Sequence, residues 1–240
     1  MDIIIHLAGE SIAGGRWTRE KKARIKESRV VGTQLLSSYF AKTAYRPRLF
    51  ICGSAVGFYG DQGNLTLTES NSGGDGFLAD VCQQWEAATE TAAQAGIRVV
   101  NLRFGMVLSD TGGALQKMVL PFSMGLGGVI GSGQQYISWI SINDVVRAVD
   151  HIIAKKDLTG PVNCVSPSPV TNAEFTRTLG RILKRPTVFP LPAFAAKLLF
   201  GEMAQELFLS STRVVPERLQ KSDFCFKEPT LQEALHSLLT

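Results

Sequence analysis

Four short apolar runs set the limits on what this chain can fold into. They are DIIIHLAG (2–9), RLFICGS (48–54), IRVVNLRFG (97–105) and GPVNCVSP (160–167). In the first two the apolar residues are consecutive, the pattern of strands buried on both faces, as in parallel sheets; the other two read as further core strands. Helix-length segments separate them. Thr18 is a fitting N-cap for a helix reaching about Thr43, and FLADVCQQWEAATETAAQA (77–95) reads as one helix stopped by Gly96. NDVVRAVDHIIAKK (143–156) reads as another. Strands alternating with helices predict an α/β fold with an open parallel sheet, whose ligands bind at the carboxyl ends of the strands.

Within 112–133 there are seven glycines, which predicts a mobile loop around a short helix near LQKMVLPF. YISWISI (136–142) alternates like a half-buried strand. Thr171 with Glu174, and Thr230 with Glu233, have capping-box spacing. Past residue 167 the strand–helix rhythm weakens and helices dominate. The predicted division is therefore a sheet domain over 1–167 and a smaller, mainly helical lobe over 168–240. Such a chain, at 240 residues, has room for both.

Charge and cysteine usage exclude several functions. The net charge is only +4, and the basic residues gather at REKKARIKESR (19–29), a solvated helix face without interleaved aromatics. Neither a nucleic-acid nor a membrane-surface partner is expected. No apolar stretch reaches the ~18 residues a bilayer span needs, and MDIIIHLAG lacks a basic leader. Cys52, Cys82, Cys164 and Cys225 and the three histidines are scattered, so no metal site is expected, and the thiols read as free in a reducing, cytoplasmic setting.

Chemistry is concentrated at the strand exits. SAVGFYG (54–60) sets Ser54 and Tyr59 where a hydroxyl could polarise a carbonyl or alcohol oxygen. Gly9, Gly53 and Gly105 fall at the same sheet edge, where glycine permits close approach to a ligand. Structural alternatives stand beside each assignment. Ser54 could cap a turn, Tyr59 could be a packed ring, and Arg103 could serve a structural ion pair. Cys82 could be a buried thiol, and Glu69 and Asp80 solvated or capping carboxylates.

Several stretches together resemble the atypical epimerase branch of the extended short-chain dehydrogenase/reductases, with a DUF1731-type C-terminal domain. They are HLAGESIAGGRWT (6–18), the SR pair at 28–29, GSAVGFYGDQG (53–63), FLADVCQQWE (77–86), the segment from Leu102 to Asp144, and the tail from Leu199 to Leu219. The resemblance covers essentially the whole chain. It implies a Rossmann-type sheet, a nicotinamide cofactor, NADP rather than NAD, and a small-molecule substrate, either a sugar nucleotide or another carbonyl compound. It places Ser54 and Tyr59 in the catalytic site, Ser54 as the serine that binds the substrate oxygen and Tyr59 as a substrate- or cofactor-side tyrosine rather than the usual acid/base. Ala8, Gly9, Glu10, Ser28, Gly53, Arg103, Gly105 and Val107 fall at the cofactor, and Phe122, Gln135 and Trp139 at the substrate.

Two departures matter. Typical members carry Tyr-x-x-x-Lys, in which the lysine lowers the tyrosine pKa; the matching positions here hold Leu78 and Cys82. A second reading is therefore a non-catalytic, dinucleotide-binding regulator of the cell-division-inhibitor kind. The glycine fingerprint that seats a pyrophosphate on a helix N-terminus is also absent. By the resemblance, DIIIHLAG is the fourth strand of the sheet, and the expectation is a protein with about 50–70 further N-terminal residues. Made alone, the chain is expected to bind NADP(H) weakly, and to be poorly soluble or to pair as a homodimer through an open strand edge.

Overall fold

The computed structural model describes residues 2–240. The chain runs β1 (Ile3–His6), α1 (Arg19–Lys42), β2 (Leu49–Ala55), β3 (Thr66–Leu67), α2 (Phe77–Ala87), α3 (Glu90–Gln94), β4 (Arg98–Phe104), β5 (Met106–Leu108), α4 (Gly113–Ser123), β6 (Tyr136–Ile137), β7 (Trp139–Ser141), α5 (Ile142–Ala154) and β8 (Gly160–Cys164). It continues through β9 (Val170–Thr171), α6 (Asn172–Ile182), α7 (Ala193–Phe200), α8 (Glu202–Ala204), β10 (Arg213–Val214), α9 (Glu217–Lys221) and α10 (Leu231–Leu239).

The four apolar runs form one parallel sheet in the order β1-β2-β4-β8. Each face is covered, which is why the runs do not alternate. On one face Ile51, Val100, Leu102 and Val162 pack under Val145, Ala148 and Ile152 of α5. On the other, Phe50, Cys52 and Val99 meet Trp85 of α2, Ala92 of α3 and Phe40 of α1. Strand β1 borders the sheet; among the described residues nothing pairs with its outer edge, and Ile5 and Leu7 are half exposed.

Helix boundaries follow the caps. Thr18 accepts from the Lys21 amide, and α1 ends at Lys42 against Thr43. Thr230 and Glu233 form the full reciprocal box, whereas Thr171 makes only the N-cap half. Residues 77–95 are not one helix but two. The Thr89 hydroxyl donates back to the Glu86 carbonyl and receives the Asn101 amide from the sheet, a local alternative that interrupts the helical ladder. YISWISI is likewise split. Ser138 donates to Thr212 O and accepts from Val214 N, so β6 pairs with β9 while β7 pairs with β5.

The second core is built from both halves of the sequence. Leu115 and Phe122 of α4 and Trp139 of β7 pack with Phe175 and Leu179 of α6 and Leu231 and Leu235 of α10. Conversely, Leu219 of α9 and Phe224 return to the main sheet. Further links tie the lobe to the sheet domain. Arg16 donates to Leu198 O, Lys22 pairs with Glu202 at 2.7 Å, and the Glu206 carboxylate accepts from the Phe77 and Leu78 amides that open α2.

Candidate functional site at the carboxyl ends of the strands

Where β1 runs out, Ala8 and Gly9 are exposed. The SR pair of α1 pins this exit. The Glu10 amide donates to Ser28 Oγ at 2.9 Å, and Arg29 Nη1 donates to the Glu10 and Ile25 carbonyls, both at 3.0 Å. The Arg29 guanidinium lies so close to Gly9 that a Cβ there would be 3.0 Å from Cζ, and it sits 5.1 Å over the Trp85 ring. Burial lowers its pKa from the ordinary arginine value; arginine nonetheless stays charged. The Glu10 carboxylate is committed to Lys21, at 2.5 Å. Ser28 and Glu10 thus shape the rim, while the Ala8–Gly9 backbone and Arg29 present its open polar surface.

Behind the β2 exit lies a polar row. Ser54, Arg103 and Asn163 are in register across β2, β4 and β8, so their side chains share one face. Ser54 Oγ donates to Glu86 Oε1 of α2 at 2.7 Å. Arg103 grips both Glu86 oxygens, each at 2.8 Å, the two-pronged geometry suited to a carboxylate. Its Nη1 donates to Tyr59 OH at 2.9 Å, which donates in turn to Asn163 Oδ1 at 2.7 Å. The Phe58 ring centre is 3.5 Å from Arg103 Cζ.

This row corrects two expectations. Tyr59 is fully buried, and burial is the main cause raising its pKa above the ordinary tyrosine value. Its hydroxyl is used up between Arg103 and Asn163 and reaches no open space. Arg103, expected at the cofactor, is 3% exposed, with Nε and Nη2 donating to Glu86 and Nη1 to Tyr59; these are the contacts of a structural ion pair. Ser54 is only 2% exposed, and its proton points to Glu86. Its remaining acceptor capacity can serve a donor arriving from the rim.

The glycines at the exits have packing causes. A Cβ on Gly53 would lie 3.1 Å from Trp85 Cη2, and one on Gly105 would lie 2.6 Å from Ser138 O. Both make room for neighbouring protein atoms. Gly53→Ala should therefore cost about 1–3 kcal/mol through overpacking against Trp85. A urea titration measures it, and an unchanged midpoint would contradict this account. Val107 lies in β5, paired with Ile140 and packed on the sheet core.

The three expected substrate residues are also interior. Phe122 and Trp139 belong to the second core, and Trp139 is fully buried with Nε1 donating to Ser168 O at 2.9 Å. Gln135 is buried and donates to Ile130 O and Phe208 O, joining the glycine-rich loop to the C-terminal lobe. The end of the glycine-rich segment is thus anchored at Ile130 and Gln135, and these three residues are buried.

Leu78 and Cys82 face the turn after β2, within 3.3 and 3.9 Å of the position a Gly57 Cβ would take. Burial pushes the Cys82 thiol up to about 12, so it is no acid near neutral pH. Sequence reading missed Glu86 and Arg29 as site residues. Glu86 stands one turn past Cys82 and Arg29 directly follows Ser28, but only the fold shows what either touches. Among the described residues no cluster could hold a metal ion, and no helix is long and apolar enough to cross a membrane.

Residues 1–164 match the NAD dependent epimerase/dehydratase family, and residues 191–238 match a domain of unknown function, DUF1731. Epimerase family protein Mb2239 of Mycobacterium bovis is 45% identical over 235 residues, 98% of this chain and 77% of that protein. The crystal structure of human epimerase family protein SDR39U1 with NADPH superimposes with a TM-score of 0.94 at 34% identity, over 99% of this chain and 81% of that one. A nucleoside-diphosphate sugar epimerase from Corynebacterium glutamicum gives a TM-score of 0.80 at 35% identity, over 99% of this chain and 46% of that one.

Proposed function

We propose, from the premise that the chain belongs to the NAD dependent epimerase/dehydratase family, that it binds a nicotinamide dinucleotide, NADP(H) in preference to NAD(H), and acts with it as an oxidoreductase or epimerase. The observation that carries the reading is the β1 exit, where bare backbone at Ala8 and Gly9 lies beside the Arg29 guanidinium at the carboxyl edge of a parallel sheet. That edge is where open α/β sheets take ligands, and a fixed cation beside exposed backbone suits a polar, anionic molecule. Ala8, Gly9 and Arg29 would hold the cofactor, which when bound supplies hydride transfer.

The chain's own chemistry centres on Ser54. Its hydroxyl donates to Glu86, so its free lone pairs would accept a hydrogen bond from a substrate hydroxyl and orient that oxygen. The Glu86 carboxylate, fixed by Arg103, favours this proton arrangement. The substrate class is a sugar nucleotide or a carbonyl compound.

NADPH fluorescence titration tests the binding. Arg29→Ala is expected to weaken NADPH about tenfold, the loss of one charge-assisted contact. No binding by the unaltered protein, or none lost in the variant, would overturn the assignment. A second reading, a dinucleotide-binding regulator without catalysis, is favoured by Leu78 and Cys82 at the Tyr-x-x-x-Lys positions and by the burial of Tyr59. NADPH binding without turnover across carbonyl and sugar-nucleotide substrates would select it.

A further inference from the structure

Two segments far apart in sequence bring large exposed apolar side chains together. Met124 and Leu126 follow α4, and Val188, Phe189, Phe194 and Leu198 belong to the run VFPLPAFAAKLLF (188–200). Backbone contacts hold the segments side by side. Phe189 N donates to Gly127 O, Leu191 N to Val129 O, and Arg185 Nε to Ser123 O. On α7, Phe194 and Leu198 stand one turn apart and share a face, 75% and 74% exposed. Both segments also reach the loop after the β1 exit: Leu198 O accepts from Arg16, and Lys117 Nζ lies 3.5 Å from Ala13 O. Single apolar residues are ordinary on a surface, but a contiguous group marks a contact surface.

The charge carried by these segments has one sign. From Phe175 to Gly201 the chain has Arg177, Arg181, Lys184, Arg185 and Lys197 and no carboxylate; from Thr111 to Asn143 it has Lys117 and no carboxylate. Lys117, Lys184, Arg185 and Lys197 are exposed, and among the described residues none is in an ion pair. That sign decides between occupants. A second copy docking by two-fold symmetry would set these cations against their own counterparts, with no acid to pair them. A bilayer of anionic lipid complements both features, with acyl chains for the apolar side chains and phosphates for the cations. No single stretch of the sequence is a basic amphipathic helix, the sign on which a membrane partner was discounted; this surface exists only where two segments meet.

We propose that this face docks the protein on the surface of a bilayer containing anionic phospholipid. Phe189, Phe194 and Leu198 enter the boundary between headgroups and acyl chains, and Lys184, Arg185 and Lys197 lie against lipid phosphates. The contact is interfacial, since no helix is long and apolar enough to cross a membrane. It stands independently of the dinucleotide reading.

Flotation of the full chain with vesicles of equal parts phosphatidylglycerol and phosphatidylcholine tests it, with vesicles of phosphatidylcholine alone as the control. Binding to the anionic vesicles is expected, falling steeply as salt is raised, with little binding to the control. Phe189→Ser combined with Phe194→Ser, and Lys184→Glu combined with Lys197→Glu, replace exposed side chains and spare the core. Each pair should lower the partition coefficient about tenfold or more, with the melting temperature and the NADPH titration unchanged. Neither pair touches Ile5 or Leu7 at the open β1 edge, so vesicle binding through that edge would persist in both variants and overturn the proposal. No binding to anionic vesicles, or equal binding to the control, would also overturn it. So would a dimer in lipid-free solution, read by sedimentation velocity, that the phenylalanine pair abolishes, because the occupant would then be a second copy.

Discussion

Arg103→Met is expected to lower the unfolding free energy by about 3–5 kcal/mol, because it strands a desolvated carboxylate. Glu86 would keep only the Ser54 hydroxyl as a donor, and Tyr59 OH would lose one of its two partners. For a chain of this size the melting temperature should fall on the order of 10 °C. The double variant Arg103→Met with Glu86→Leu should recover much of the loss, since an apolar pair of similar volume carries no desolvation cost. Urea and thermal unfolding of the four members of the cycle measure the coupling directly. An Arg103→Met protein as stable as the parent would show that the ion pair contributes nothing.

Ser54→Ala is expected to act on rate and not on folding or cofactor affinity. The Glu86 carboxylate keeps both of its Arg103 contacts, so the structural loss is that of one hydrogen bond, about 0.5–1.5 kcal/mol. If Ser54 orients the reacting oxygen, removing it should reduce kcat about 10²–10³-fold, with NADPH affinity little changed, because the interaction matters most in the transition state. Tyr59→Phe should have a smaller effect on kcat, since its hydroxyl is enclosed between Arg103 and Asn163 and touches no substrate. Steady-state kinetics on any substrate found by a carbonyl or sugar-nucleotide screen decide the matter. Unchanged kcat in the Ser54 variant would remove it from the chemistry.

What the sequence determined by itself follows from local physics. Consecutive apolar residues at 3–5 and 49–52 had to be covered on two sides, and with the helix-length segments between strands they called for a parallel sheet with helices on both faces. Thr18 and Thr230 specified helix starts because a side-chain oxygen within reach of unsatisfied amides is a short-range fact. Ser54 at the exit of β2 was legible for the same reason.

Only the tertiary structure decided the roles of the remaining residues. Tyr59, Arg103 and Glu86 lie far apart in sequence, and whether a phenol or a guanidinium meets solvent or a partner depends on which strand lies beside it. Gly53 and Gly105 read as cofactor-facing from their position, yet Trp85 and the Ser138 backbone fill the space they leave. Phe122 lies in a segment whose glycines read as mobile and Gln135 and Trp139 follow it, but α6, α10 and the helical segment 205–209 close over all three. Long-range packing of this kind leaves no periodic trace in the chain, because it is set by the meeting of segments as much as 182 residues apart rather than by neighbours along one of them.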